Sequence, residues 1–199
     1  MTRLTSTIGA ALLAALACAA PAAARQEAKL LAPVSNTCVS SPFGPRILPN
    51  MPLAGSYHFG IDLAAPAGAA VLAAGPGTVM RIQRKGPGGL EMLVQHDGFV
   101  AIYSHFGMIA PAFAEGKRTM EAGEKLGVVG RTGLSSGAHL FFEMILDGKP
   151  TDPSPYLGLP SCNGAPPPTV AAAAAKPDDG GVAIGGRKYY QIFTQARQN

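Results

Sequence analysis

Residues 78–103 decide the fold class: Thr78-Val79-Met80-Arg81-Ile82, then Gly86-Pro87-Gly88-Gly89, then Glu91-Met92-Leu93-Val94-Gln95, then Asp97-Gly98, then Val100-Ala101-Ile102-Tyr103. Three apolar runs of strand length are separated by the glycine, proline and aspartate clusters that punctuate hairpins. The pattern continues outward. Val71-Leu72-Ala73-Ala74 precedes it across Gly75-Pro76-Gly77, and Leu140-Phe141-Phe142-Glu143-Met144-Ile145 follows it and stops at Asp147-Gly148. Short runs at near-regular spacing predict an all-β domain. Only Met108 to Lys117 offers a helical turn, and Pro111 counts against it.

Further out, the composition changes. Arg3 is the only charge before Arg25, and between them run an apolar stretch, Ile8 to Ala17, and Pro21-Ala22-Ala23-Ala24. A basic start, a short apolar run and an A-x-A end are the marks of a secretory signal peptide, here residues 1–24, so the chain is expected to be exported to the periplasm or beyond the cell. Cys18 offers a poorer, lipoprotein-type alternative. Residues 25–35 read as a linker and 36–160 as the folded domain. Residues 161–199 read as a flexible tail with a Pro/Ala-rich linker, Pro166-Pro167-Pro168 and Ala171 to Ala175, ahead of Tyr189, Tyr190, Ile192 and Phe193. No stretch of the mature chain is long and apolar enough to span a membrane. The formal charge is +4, and loss of Arg3 makes it +3, a mild basic balance that suits an anionic wall surface and does not call for nucleic acid. Of three cysteines, cleavage after Ala24 leaves Cys38 and Cys162, one at each end of the domain. In an oxidising compartment that placement reads as a disulfide.

Three of the four histidines fall in patterned places. In His58-Phe59-Gly60-Ile61-Asp62 the imidazole and the carboxylate are both good zinc ligands. A straight strand would hold them roughly 13 Å apart, so the chain must bend, most easily at Gly60. His105 ends the strand-like run Val100 to Tyr103, and alternation aims it and Tyr103 the same way. In Gly137-Ala138-His139-Leu140-Phe141-Phe142-Glu143, alternation puts His139, Phe141 and Glu143 on one face and Leu140 and Phe142 on the other. The fourth histidine, His96, reads as structural. Each pattern alone is weak.

Together and in order they resemble the LytM-type (lysostaphin-type) zinc endopeptidases of peptidoglycan. Ser40-Ser41-Pro42-Phe43-Gly44-Pro45-Arg46 resembles the family's opening strand. His58 to Asp62, followed by Ala64-Ala65-Pro66-Ala67-Gly68, resembles its first metal motif, and Ile102-Tyr103-Ser104-His105-Phe106 its central histidine motif. Gly123-Glu124-Lys125-Leu126-Gly127 and Gly130-Arg131-Thr132-Gly133 resemble its glycine turns. Gly137 to Glu143 and Asp152-Pro153-Ser154-Pro155-Tyr156 resemble its closing strand and exit. The resemblance implies an antiparallel β domain of the duplicated hybrid motif kind, with a groove across it. It implies zinc held by His58 and Asp62, and His105 and His139 as base and transition-state stabiliser. The implied substrate is the peptide cross-bridge of peptidoglycan.

One departure bears on function. The family pattern ends His-x-His, and its second histidine is the third zinc ligand; here that residue is Phe141. A phenyl ring cannot coordinate zinc, whereas catalytic zinc has three protein ligands and an open position. Glu143 shares the face but lies one strand repeat on, roughly 6.6 Å away. Three readings follow. The first is a zinc-poor pseudoenzyme, catalytically weak or inactive, that binds peptidoglycan or regulates a cell-wall hydrolase. The second is an active zinc metalloendopeptidase with an altered ligand set, and the third a structural β-domain of an envelope assembly.

Overall fold

The structure, a computed structural model, describes residues 30–47, 53 and 55–169. The expected signal peptide, residues 1–24, and the segment Val182 to Asn199 lie outside the described residues.

Among the described residues the chain forms thirteen strands and two one-turn helices. The strands are β1 (Val39–Ser41), β2 (Gly44–Pro45), β3 (Tyr57–His58), β4 (Ile61–Ala64), β5 (Ala70–Leu72), β6 (Gly77–Arg84) and β7 (Leu90–His96). They continue as β8 (Phe99–Ser104), β9 (Phe106–Ile109), β10 (Thr119–Met120), β11 (Lys125–Val129), β12 (His139–Leu146) and β13 (Lys149–Thr151). The helices are α1 (Pro111–Ala114) and α2 (Ser154–Leu157). The one expected helical turn forms as α1, with Pro111 in its first turn, where the missing N–H has no helical partner to lose.

The main sheet runs β1-β4-β12-β8-β7-β6-β10, with β13 hairpinned onto β12; β5-β11-β9 and β2-β3 form two smaller sheets, and every strand pairing is antiparallel. The β12–β13 turn shows how sequence sets register. Asp147 (φ 51) and Gly148 (φ 77) both take positive φ, the type I′ geometry whose twist matches that of its strands, and Leu146 then pairs with Lys149.

One face of the main sheet and the β5-β11-β9 sheet enclose the core. Val94, Tyr103, Leu140, Phe142 and Met144 from the first meet Val71, Phe106, Leu126 and Val129 from the second. The opposite face carries a smaller cluster, Leu93, Val100, Ile102 and Ile145, and, further along β12, the site. Tyr103 is fully buried. Its hydroxyl accepts from the Ala74 N–H (3.0 Å) and stands 3.1 Å from Nε2 of His96, whose Nδ1–H donates to the Pro76 carbonyl. Tyr103→Phe leaves two buried polar groups unpaired and is expected to cost about 1–3 kcal/mol. The check is the urea midpoint, which should fall at unchanged m-value.

The stretch from Leu30 to Val34, read from sequence as linker, packs on the domain. Leu30 and Leu31 donate backbone hydrogen bonds to Tyr156 and Ala74, and Val34 is buried. Cys38 and Cys162 are disulfide-bonded, beside a parallel bridge between Val39 and Ser161.

Candidate functional site

β4 and β12 place the site. Asp62, Phe141 and Ser104 are cross-strand neighbours on β4, β12 and β8. Because Ile61 and Leu63 point into the core, Asp62 faces the other way, and Leu140 and Phe142 dispose His139 and Phe141 likewise. The bend between His58 and Asp62 falls at Phe59-Gly60, between β3 and β4. It brings His58 Nε2 to 3.2 Å from Asp62 Oδ1. His139 Nε2 approaches the same oxygen at 3.4 Å, and Arg46 lies 3.7 Å from Oδ2. His105 stacks edge-on against His139, with ring centroids 4.7 Å apart.

One orientation differs from expectation. Tyr103 and His105 do not face the same way: Tyr103 points into the core, whereas His105 turns to the cleft beside His139 and Phe141. The cause is local backbone. Strand β8 ends at Ser104, and His105 adopts φ 67, which breaks the alternation that two-residue periodicity assumes.

The three cleft imidazoles are held alike. Each Nδ1–H donates to a backbone carbonyl: His58 to Pro42 (2.9 Å), His105 to Thr132 (2.7 Å) and His139 to Gly137 (3.0 Å). In the neutral imidazole this leaves Nε2 as the lone-pair nitrogen, the arrangement that suits a base or a metal ligand. His58 Nε2 is buried and makes no hydrogen bond, although Asp62 Oδ1 lies 3.2 Å away. Burial opposes ionisation of Asp62, but His139 and His58 outweigh it and hold the carboxyl well below the usual range. Burial also works against a charged His139, yet Asp62 prevails and raises its pKa. In His105 burial wins over the Thr132 contact, and the pKa is lowered. The cleft therefore pairs a histidine biased toward the cation with one biased toward the neutral base.

Phe141 occupies the remaining side. Its ring centroid is 5.2 Å from that of His58 and 6.2 Å from that of His105. The ring also presses on Gly60, where an added Cβ would lie 2.8 Å from two ring carbons and 2.5 Å from the Phe142 carbonyl oxygen, so position 60 admits only glycine. Among the described residues no three histidine, cysteine, aspartate or glutamate side chains are disposed to hold a metal ion. The donor chemistry agrees: two strong ligands, His58 and Asp62, face a hydrocarbon ring. The residues present do not fit a catalytic zinc of the usual three-ligand kind.

Glu143 shares the cleft face of β12, as alternation predicts, and is buried there; its charged neighbour is Glu91, itself bonded by Ser104 Oγ and Gln83. Burial and then the Glu91 charge push its pKa up to about 8. A group that keeps its proton in the fold and loses it when unfolded draws stability down as pH rises from its unfolded value, near 4.5, toward 8. Glu143→Gln is therefore expected to be less sensitive than the parent over this range, measured as the shift in urea midpoint between pH 5 and pH 8.5.

Sequence reasoning gave no role to Arg46, Thr132 or Glu91. Arg46 stood inside a recognised motif but carried no signal of its partner. Thr132 is central to the cleft wall: its carbonyl holds His105, its hydroxyl donates to the Phe106 carbonyl, and it accepts from the Leu90 N–H. Its place in the turn Gly130-Arg131-Thr132-Gly133 was the one available hint.

Comparison with known proteins places this geometry. Residues 56–153 match the model of peptidase family M23. The chain is 37% identical over 122 residues to the DD-carboxypeptidase/endopeptidase Mpg of Neisseria meningitidis, a match covering 61% of this chain and 27% of that protein. A zinc-containing peptidase from Vibrio cholerae superposes with a TM-score of 0.55 at 26% identity, over 67% of this chain and 40% of its own. The catalytic domain of lysostaphin from Staphylococcus simulans shares the fold, with a TM-score of 0.52 at 24% identity over 61% of this chain and 92% of that domain. The chain thus spans about a quarter of the length of the curated relative it matches.

Proposed function

The domain formed by residues 56–153 belongs to peptidase family M23, and from that footing we propose that the chain acts at the cell wall as a zinc-poor, catalytically weak or inactive member of it. In this reading it is exported, binds peptidoglycan peptides or a hydrolase that cuts them, and turns over little or no substrate. The observation that carries the reading is Phe141, whose ring sits beside Asp62 and over Gly60. A relative from Vibrio cholerae, 30% identical over 115 residues, is named a peptidoglycan DD-endopeptidase, which supports the substrate class.

The cleft keeps what recognition needs. His139 and Arg46 supply positive charge around Asp62, His105 supplies a fixed imidazole, and Phe141 supplies an apolar surface. Such a set can hydrogen-bond the carbonyls and carboxylates of a short peptide while packing an aliphatic side chain. In the family at large, zinc polarises a peptide carbonyl and acidifies water; no such step is assigned to these residues.

Co-sedimentation with purified sacculi tests the reading. The wild-type chain is expected to sediment with sacculi, and the double variant His105→Ala/His139→Ala to sediment less. Equal recovery of both in the supernatant would favour the structural β-domain.

A further inference from the structure

We propose that the outer edge of β6 is a second interaction surface, one that takes up an extended, acidic peptide segment of a partner protein as an added strand. Two independent features of this edge support it.

The first is an unpaired backbone. β10 pairs only with Gly77 and Thr78 and, through the Arg118 carbonyl, with the Val79 N–H. From Met80 to Arg84 no strand among the described residues covers the outer side of β6, while its inner side pairs with β7 from Arg81 to Arg84, after a bulge at Met80. An open edge offers a row of N–H and C=O groups that another chain can complete.

The second is the groove beside that edge. A cavity of about 580 Å³ lies against β6, between it and the β9–α1 segment. Its apolar lining includes Ile82, Met108 and Phe113, and Met108 is 57% exposed. Its charged lining is all of one sign: Arg81, Arg84 and Arg118, none of which meets a carboxylate among the described residues. Arg81 Nε is buried without a hydrogen-bond acceptor, a cost that an arriving carboxylate removes.

Charged side chains also serve to blunt open edges against aggregation. That role explains exposed arginines at an edge. It does not explain a buried guanidinium nitrogen without an acceptor, nor an apolar groove behind it. The combination fits an extended segment with carboxylates on both faces, for Arg81 on one side of β6 and Arg84 on the other, and aliphatic residues beside them, for the groove. The surface is separate from the histidine cleft, since β6 lies three strands from β12, roughly 14 Å away at the usual strand spacing.

The test uses the full chain and a fluorescein-labelled eight-residue peptide that repeats Glu-Glu-Val-Val, which puts carboxylates on both faces of the added strand. Fluorescence anisotropy is expected to show saturable binding, weakened about tenfold by Arg84→Glu and similarly by Arg118→Gln, each with an unchanged melting temperature. Backbone amide shifts should concentrate at residues 80–84. The same peptide N-methylated at alternate amides should bind far more weakly, because it cannot complete the edge. Four outcomes would overturn the proposal: no binding; equal binding of the N-methylated peptide; binding of phosphatidylglycerol vesicles but not of the peptide, which would make the groove a membrane contact; and binding that appears only after residues 170–199 are removed, which would make the chain's own tail the occupant.

Discussion

Replacing Phe141 by histidine is expected to raise zinc affinity by well over the ~10–100-fold attached to changes in residues that merely orient a ligand. The site is otherwise prepared. Position 141 pairs in register with Asp62, and its ring faces that of His58 at 5.2 Å, so an imidazole there would face the same two donors. His58 already holds its Nδ1–H on the Pro42 carbonyl, which leaves Nε2 as the ligating nitrogen. Three protein ligands with an open fourth position is the set that catalytic zinc requires. The control is Phe141→Ala, which removes the ring and adds no donor. Calorimetric titration with zinc should separate the two variants clearly. If Phe141→His gains no affinity over Phe141→Ala, residue 141 is not at the metal position. Hydrolysis of peptidoglycan by the histidine variant is a further step, because the cleft must also position its substrate.

Removing the Cys38–Cys162 bond is expected to have the largest effect on stability. The cysteines are 124 residues apart, so the bond closes almost the whole domain into one loop. On the chain-entropy account a loop of that length contributes roughly 4–5 kcal/mol, and its loss should lower the melting temperature by roughly 10–20 °C. The location reinforces this. The bond lies beside the hydrogen bonds from Val39 to Pro160 and from Cys162 to Val39, where the two ends of the domain meet. Calorimetry of the Cys38→Ser/Cys162→Ser variant, compared with the parent under non-reducing conditions, checks it. A change of only a degree or two would mean that packing alone holds the two ends together.

The strands that could be read in advance were those with uninterrupted patterns. β12 sends Leu140, Phe142 and Met144 to the core and His139, Phe141, Glu143 and Ile145 to the opposite face, as two-residue periodicity requires. β6, β7 and β8 were legible for the same reason, and the Asp147-Gly148 turn for its chemistry. β9 and β11 were not, because glycine interrupts both. Gly127 reads as part of a turn, yet it lies within β11, where an added Cβ would stand 2.3 Å from the Met108 carbonyl oxygen on β9. A close approach between strands needs glycine as much as a turn does, and sequence alone does not separate the two causes. The orientation of His105 relative to Tyr103 escaped prediction through its positive φ. The cleft itself was legible chiefly through the ordered set of motifs: no single histidine pattern identified it, and the contacts that Arg46 and Thr132 make came from the fold.

The central claim is that this domain engages the wall without efficient hydrolysis, and muropeptide release tests it most directly. Purified wild-type chain, incubated with sacculi at micromolar zinc, is expected to release little or no soluble peptide above a buffer control. It should also retain far less than one zinc per chain after dialysis. Efficient release of cross-bridge cleavage products, with one zinc tightly bound, would contradict the account and would make Glu143→Gln the next variant to examine as a replacement ligand.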